Sequence, residues 1–234
     1  MMFIDDIKAL LKERFDLTLK NPTPYVTAFT HSSYANENRR QQPDIQYNER
    51  IEFLGDAVLE LTVSTYIYQN YPQLPEGKLS RFRSLIVCED SLAKRCKECG
   101  FDHLIRLGHG EEQSGARNRP SLLCDLFESV VGAIYLDLGL DAVEQFLTQT
   151  IYPKIENGEF DLTSDYKTAL QEELQKNGKI DLNYQTIEEP SSENHQQFTV
   201  EVALFGEVIG TGSGHNKKEA EQKAAAKALK QLDA

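Results

Sequence analysis

Apolar residues recur at helical spacing from the start of the chain. Phe3, Ile7, Leu10, Leu11 and Phe15 stand at i, i+4, i+7, i+8 and i+12, one face of an amphipathic helix over residues 3–15. The same period predicts helices over 49–70, 78–87, 89–99, 120–137 and 140–155, broken by turn clusters such as Tyr71-Pro-Gln-Leu-Pro-Glu-Gly77, with no strand pattern among them. The stretch from Glu156 to Asp165 is polar, rich in turn formers and without sustained periodicity, which makes it the candidate linker. Beyond it the pattern changes. Residues 166–176 read as a helix, whereas 183–188, 197–204 and 207–211 alternate as strands, with Phe205-Gly206 as a tight turn between the last two. Gly212-Ser-Gly-His-Asn216 then leads into an Ala-rich run of strong helix formers, Lys217 to Lys230. The expectation is an all-α domain over 1–155, a linker over 156–164 and an α+β domain of order α-β-β-β-α over 165–234.

Length and composition narrow this further. A chain of 234 residues accommodates one or two domains, and 40% hydrophobic residues suit a globular protein. Asp125 and Glu128 interrupt even the most apolar region, Leu122 to Leu136, so nothing approaches the ~18 apolar residues of a membrane span. Residues 1–11 carry Asp5, Asp6 and Lys8 and lack the apolar core of a signal peptide, so a cytoplasmic protein without membrane contact is expected. Four cysteines are too few for a disulfide scaffold, and Cys96-Lys-Glu-Cys99 sits in a charged helical context without a second pair. Against 37 Asp plus Glu stand 25 Lys plus Arg, a formal net charge of -12 that by itself counts against a nucleic-acid partner. The distribution of those charges reverses this impression.

In Asn48-Glu-Arg-Ile-Glu-Phe-Leu-Gly-Asp56 the helical period puts Glu49, Glu52 and Asp56 within an arc of about 60°. Ile51, Phe53, Leu54, Ala57, Val58 and Leu59 cover the other directions, so this helix is expected to be buried on nearly all sides. Buried unpaired negative charge is costly and calls for a cation. A second helix repeats the pattern: Asp125 and Glu128 share a face, and Gly132, projecting almost with Asp125, permits close approach of a neighbouring helix. Two acidic faces meeting around a hard ion, Mg²⁺ or Mn²⁺ rather than zinc, fit oxygen-only ligands and metal-dependent phosphate chemistry. Glu60, also on the first stripe, reads as an ordinary solvated residue.

The nine residues from Asn48 to Asp56 closely resemble the signature of the ribonuclease III family, as do Thr30-His-Ser-Ser33, Pro75-Glu-Gly-Lys-Leu-Ser-Arg81 and the helix through Asp125, Glu128, Gly132 and Tyr135. The C-terminal part resembles a double-stranded-RNA-binding domain, so the resemblance covers nearly the whole chain. It implies an all-α nuclease domain followed by an α+β binding domain. The implied protein is a homodimeric, Mg²⁺-dependent endonuclease in which metal-activated water hydrolyses both strands of duplex RNA, leaving 5'-phosphate and 3'-hydroxyl ends. Ribosomal-RNA precursors and some messenger RNAs are the substrates implied. By the same resemblance Glu52, Asp56, Asp125 and Glu128 match the metal-site carboxylates, Glu128 being the most sensitive, and Glu49 and Glu76 match further acidic positions of the cleavage valley. Ligand types leave open whether one or two ions act on each strand. Departures are few: Ile51 for a common Leu, and Cys124 where a small residue is usual.

Residues 165–234 hold 8 Lys against 12 Asp plus Glu, yet five Lys against two Glu fall within 217–230, next to a helix start whose free N–H groups favour phosphate. By resemblance, Gln171, Glu172 and His195 meet 2'-hydroxyls, and Lys217, Lys218 and Lys223 meet phosphate, reading duplex shape rather than sequence. Arg117 and Arg119, in a Gly-containing loop before the second acidic helix, are candidate RNA contacts of the nuclease domain. His31 is expected to order local structure rather than bind metal. The rival reading is a non-catalytic duplex-RNA binder, which the complete carboxylate set disfavours. A phosphohydrolase of small substrates leaves the C-terminal part unexplained.

Overall fold

The computed structural model describes residues 2–160, 166–176, 178, 180–188, 198–214 and 216–232. They form two compact units, residues 1–160 and 161–234.

The first unit is helical: α1 (Met2–Phe15), α2 (Thr23–Ala28), α3 (Ser32–Asn38), α4 (Glu49–Asn70), α5 (Glu76–Ile86), α6 (Glu89–Cys99), α7 (His109–Gln113), α8 (Pro120–Leu138), α9 (Leu140–Thr150) and α10 (Tyr152–Glu156). Its centre is α8, the most apolar helix, whose residues from Ser129 to Ile134 are all buried. Its Phe127 joins Phe15, Phe29, Phe101 and Phe146 in an aromatic cluster, Phe15 meeting Phe146 edge-on at 4.9 Å and Phe29 meeting Phe101 at 5.7 Å. The face of α1 read from the sequence supplies Ile7, Leu11 and Phe15 to this core.

Two boundaries differ from expectation for definite reasons. The predicted helix 140–155 breaks at Ile151, because Pro153 has no N–H to continue the ladder and instead opens α10. The helix expected from residue 78 begins at Glu76, directly after Pro75. Helices α2, α3 and α7, of 6, 7 and 5 residues, were not legible as periodic patterns, since so few turns stand only with tertiary support.

Residues 156–160, the start of the expected linker, are fastened to the helical unit. The Tyr66 hydroxyl, its ring stacked on Tyr152 at 3.8 Å, donates to Glu156 at 2.9 Å. Arg95, only 1% exposed, is held between Glu159 at 2.7 Å and Glu98 at 3.0 Å. A buried guanidinium left without those acids would carry an uncompensated charge. Residues 161–164 of the expected linker lie outside the described residues.

The second unit is a helix, α11 (Tyr166–Gln175), a three-stranded antiparallel meander, β1 (Leu182–Glu188), β2 (Phe198–Leu204) and β3 (Glu207–Gly214), and a closing helix, α12 (Lys217–Leu232). Phe205 and Gly206, both with positive φ, make the two-residue turn between β2 and β3. Val200 and Val202 pair with Gly212 and Gly210, and this face packs on Leu170, Leu174, Ala224, Ala225 and Ala228. The expected third strand ended at residue 211, whereas β3 runs to Gly214. The reason is close packing: a Cβ at Gly212 would lie 2.2 Å from the Ala224 amide nitrogen, and one at Gly210 2.4 Å from the Ala224 carbonyl oxygen. What reads as a flexible glycine tract is a strand whose bare backbone admits the alanine face of α12.

Candidate active site

The site is made by the crossing of α4 and α8. A Cβ at Gly55 would lie 1.8 Å from the Glu128 carbonyl oxygen, and one at Gly132 would lie 2.5 Å from the Ile51 carbonyl oxygen. Backbone therefore touches backbone, as expected for Gly132; its counterpart Gly55 was not singled out in the sequence. Glu52 and Asp56 flank Gly55 on one helix, and Asp125 and Glu128 precede Gly132 on the other.

These carboxylates lie near enough across the crossing to bear on one another's ionisation. Glu52 is pushed up to about 7, first by burial and then by Asp125, Glu49 and Asp56. Glu128 is also raised to about 7, by burial and then by Asp56, with Glu52 and Asp125 contributing. Asp125 is raised by burial and by Glu89, while His31 and Arg119 pull it the other way. Acids held this close resist ionising together, and a multivalent cation bound among them would remove the conflict. The oxygen donors of Glu52, Asp56, Asp125 and Glu128 thus fit a hard divalent ion by ligand type. Among the described residues, the one group of three donors whose ligand atoms all lie within 4.8 Å of one another includes a thiol and leaves out Glu52 and Asp56. The Cys124 thiol donates to Glu128 Oε1 across 3.6 Å, and Cys124, Asp125 and Glu128 each offer a ligand atom within 4.8 Å of the others.

The segment from Thr30 to Ser33 fixes where this site begins. The Thr30 carbonyl accepts the Asn48 amide at 2.9 Å, and Asn48 in turn accepts from Ile51 and Glu52, setting the first turn of α4. His31 caps α3, its Nδ1 accepting from the Ser33 amide, and the Ser33 hydroxyl accepts the Gly108 amide at 2.8 Å. That bond ties α3 to the start of α7. His31 thereby orders structure, as expected, and stands close enough to the site to feel Glu111, Arg119, Asp125 and Glu49, while burial lowers its pKa. Glu89 and Glu111, which shape this field, gave no signal in the sequence beyond lying in the first turns of α6 and α7.

Other candidates fall elsewhere. Glu76 accepts from Ser80 at 2.8 Å and lines a cavity of about 420 Å³ with Ser64, Tyr68 and Arg83. That is twelve to sixteen residues further along α4 than Glu52, roughly 18 to 24 Å, so one chain does not bring Glu76 to the other five acids. Arg117 is engaged within its own unit, donating to Glu112 at 2.9 and 2.5 Å and to the Asp102 carbonyl, and Arg119 pairs with Glu111 at 2.9 Å. The expected all-round burial of α4 is corrected: Phe53 is 81% exposed, Leu61 58% and Tyr68 73%, a stripe spanning about 80° of the helix.

In the second unit, Asn216 caps α12 by accepting the Glu219 amide at 2.9 Å, and leaves Lys217 and Lys218 exposed in the first turn. Lys218 and Gln171 line one cleft with Lys167 and Tyr184. Lys223, one turn further, pairs with Glu219 at 2.7 Å. His195 and the side chain of Glu172 lie outside the described residues.

Comparison with known proteins matches both units. The model for Ribonuclease-III-like proteins matches residues 21–155, and that for the double-stranded RNA binding motif matches residues 166–232. The chain is 53% identical over 226 residues to Ribonuclease 3 of Limosilactobacillus reuteri, covering 97% of this chain and 96% of that one. It is 50% identical over 229 residues to Ribonuclease 3 of Streptococcus thermophilus, covering 98% and 99%. Among solved structures, a nuclease domain of ribonuclease III from Campylobacter jejuni, described for flexibility in a region involved in dimer formation, matches with a TM-score of 0.55 and 32% identity, over 62% of this chain and 97% of that one.

Proposed function

The chain belongs to the ribonuclease III family, and from the site at its crossed helices we infer that it is an endoribonuclease specific for double-stranded RNA, hydrolysing phosphodiester bonds in both strands and leaving 5'-phosphate and 3'-hydroxyl ends. The observation that carries this reading is the contact of Gly55 with Glu128 backbone, which brings the acidic faces of two helices together at their crossing. Enzymes of this family depend on a metal. We assign its ligands as Glu52, Asp56, Asp125 and Glu128, and the metal as Mg²⁺, with Mn²⁺ able to replace it. Such an ion, when bound, polarises a phosphoryl oxygen and lowers the pKa of water. The protein presents four carboxylates on two helices, and burial with their mutual repulsion holds Glu52 and Glu128 up to about 7, a conflict that a bound cation would remove.

Duplex RNA engages the second unit at the start of α12, where Lys217 and Lys218 meet phosphate beside the helix N-terminus and Gln171 meets the minor groove across the same cleft. Lys223, Glu172 and His195 extend this surface in our reading. Glu49 and Glu76 line the path of the RNA over the nuclease unit; Arg117 and Arg119, held by acids, border it rather than offer free charge. The exposed stripe of Phe53, Leu61 and Tyr68 supports a homodimer, since a second copy would bury it. No described helix is long and apolar enough to cross a membrane. Four free thiols suit a reducing cytoplasm, where ribosomal-RNA precursors and messenger RNAs are the substrates we propose.

The test is cleavage of a long RNA duplex by the purified full chain. Mg²⁺ should support cutting, EDTA should stop it, and Glu128→Ala should abolish it while duplex binding survives. A wild-type protein that binds duplex RNA with Mg²⁺ and never cuts would be a non-catalytic binder. Full cleavage by Glu128→Ala would remove the assigned site.

A further inference from the structure

We propose that Arg106 is a positioning residue for the cleavage site: its guanidinium, lodged against Phe3 of α1 and Tyr34 of α3, holds Thr30 in the place from which the first turn of α4, and with it Glu52, is set. This rests on the reading of the crossing of α4 and α8 as a metal-dependent nuclease site and goes beyond it in naming a residue that acts on the site without touching it.

Arg106 lies in the connection between α6 and α7. Its backbone is zipped to the chain after α2: its amide donates to the Phe29 carbonyl at 2.9 Å, and its carbonyl accepts the His31 amide at 3.1 Å. The side chain adds a second hold. Its Nη2 donates to the Thr30 hydroxyl and, at 3.4 Å, to the Val26 carbonyl, while that hydroxyl donates to the same carbonyl at 2.5 Å. The last turn of α2, Thr30 and Arg106 thus close one ring of bonds. Thr30 is fully buried, and its carbonyl accepts the Asn48 amide at 2.9 Å; the Asn48 carbonyl in turn accepts the Glu52 amide at 2.9 Å. A continuous path of hydrogen bonds therefore leads from the guanidinium, through Thr30 and Asn48, to the backbone of Glu52.

That path ends where the helix crossing does not reach. Backbone contact fixes α4 at Gly55, beside Asp56, whereas Glu52 lies between that point and Asn48, seven residues earlier and roughly 10 Å along the axis. A second support at Asn48 limits how far this turn can swing about the crossing. Arginine suits the task because a planar guanidinium can stack on aromatic faces and donate in its own plane at once. Its Cζ lies 4.4 Å from the Phe3 ring centroid and 4.8 Å from that of Tyr34, so α1 and α3 steady the cation while Nη2 bonds Thr30. Keeping it there is costly: burial lowers its pKa, with Tyr34 acting the other way, and its Nε is buried without a hydrogen-bond partner among the described residues. An aliphatic chain would fill the space without that cost, so space-filling does not account for an arginine here.

The experiment compares the wild-type full chain with Arg106→Met, which keeps the length and loses the donors, and with Arg106→Lys, which keeps the charge and loses the fork. At temperatures where the protein is fully folded, Arg106→Met should keep the wild-type KM for a labelled RNA duplex and lose at least about tenfold in kcat with Mg²⁺, the scale of residues that orient metal ligands. Independently of cleavage, the Mg²⁺ concentration that half-maximally raises the melting temperature should increase by a similar factor. A folded Arg106→Met with wild-type kcat or a wild-type Mg²⁺ response overturns the inference, as does one whose loss lies in KM alone. Arg106→Lys should share both losses; wild-type kcat in that variant would mean that charge rather than geometry matters, and overturns it too. Should Arg106→Met not fold, Thr30→Val, which removes the hydroxyl that takes the guanidinium, should show the same two losses, and wild-type behaviour there overturns the inference. Wild-type protein that binds duplex RNA and never cuts would refute the underlying reading of the site, and the Mg²⁺ melts would still decide the role of Arg106; wild-type protein that cuts no faster than Arg106→Met refutes only the positioning role.

Discussion

Adding one methyl group at Gly55 should damage both the fold and the chemistry. Its Cβ would stand 1.8 Å from the carbonyl oxygen of Glu128, about 1.6 Å short of ordinary contact. Both partners are backbone, so no rotamer change relieves the clash, and α4 and α8 must part by an amount of that order. Overpacking of this kind costs ~1–3 kcal/mol. At roughly 2–4 °C per kcal/mol for a unit of this size, the melting temperature of the helical unit should fall by up to about 12 °C. The effect on activity should be larger. Glu52 and Asp56 ride on one helix and Asp125 and Glu128 on the other, and a misplacement of ~1 Å at a reacting centre costs on the order of a hundredfold. The assay is a thermal melt of metal-free Gly55→Ala beside its kcat/KM on a labelled RNA duplex with Mg²⁺. Gly77→Ala serves as the stability control, because nothing lies within 4 Å of its added methyl. A Gly55→Ala protein that melts with the wild type and cuts at its rate would refute the reasoning.

Further outcomes follow from the same contacts. Glu52 and Glu128, raised to about 7, have folded pKa values above the unfolded carboxylate range, so they cost nothing at low pH and destabilise increasingly as pH rises through about 4.5 to 7. The metal-free protein should therefore melt lower at about pH 8 than at about pH 5.5, and Mg²⁺ should raise the melting temperature more at the higher pH; equal Mg²⁺ effects at both would contradict the assignment. Gly212→Ala, whose methyl would stand 2.2 Å from the Ala224 nitrogen, should unfold the second unit and abolish duplex binding, while far-ultraviolet circular dichroism retains the helical unit's melt. Lys218→Ala should weaken duplex affinity across sequences alike and reduce the slope of log affinity against log salt by about 1, as read by filter binding at several salt concentrations. Phe53→Asp should shift sedimentation toward the monomer, because it puts a charge into the stripe that a second copy would cover in the proposed dimer.

Much of this protein was written locally. Helical period gave the long elements, the change of period marked the second unit, and the spacing of Glu52 with Asp56 and of Asp125 with Glu128 put each pair on one face before any fold was known. Those are properties of neighbours in the chain, fixed by 3.6 residues per turn. What the tertiary structure decided is which faces meet. Gly55 and the tract from Gly210 to Gly214 gave no periodic signal, yet each lets two backbones touch, and a missing side chain has meaning only beside the atom that would strike it. The same holds for Glu89 and Glu111, acids in the first turns of two separate helices that come to bear on Asp125 and His31, respectively, only after folding. The reading of α4 as buried all round failed because apolar character does not say whether the covering surface belongs to the same chain, and within one chain Phe53 and Tyr68 stand in solvent. Sequence determined the elements and the acidic residues on their faces. Only the packing of α4 on α8 brought the two acidic faces to one crossing, because contact between distant segments depends on shape at the crossing and not on any periodicity along the chain.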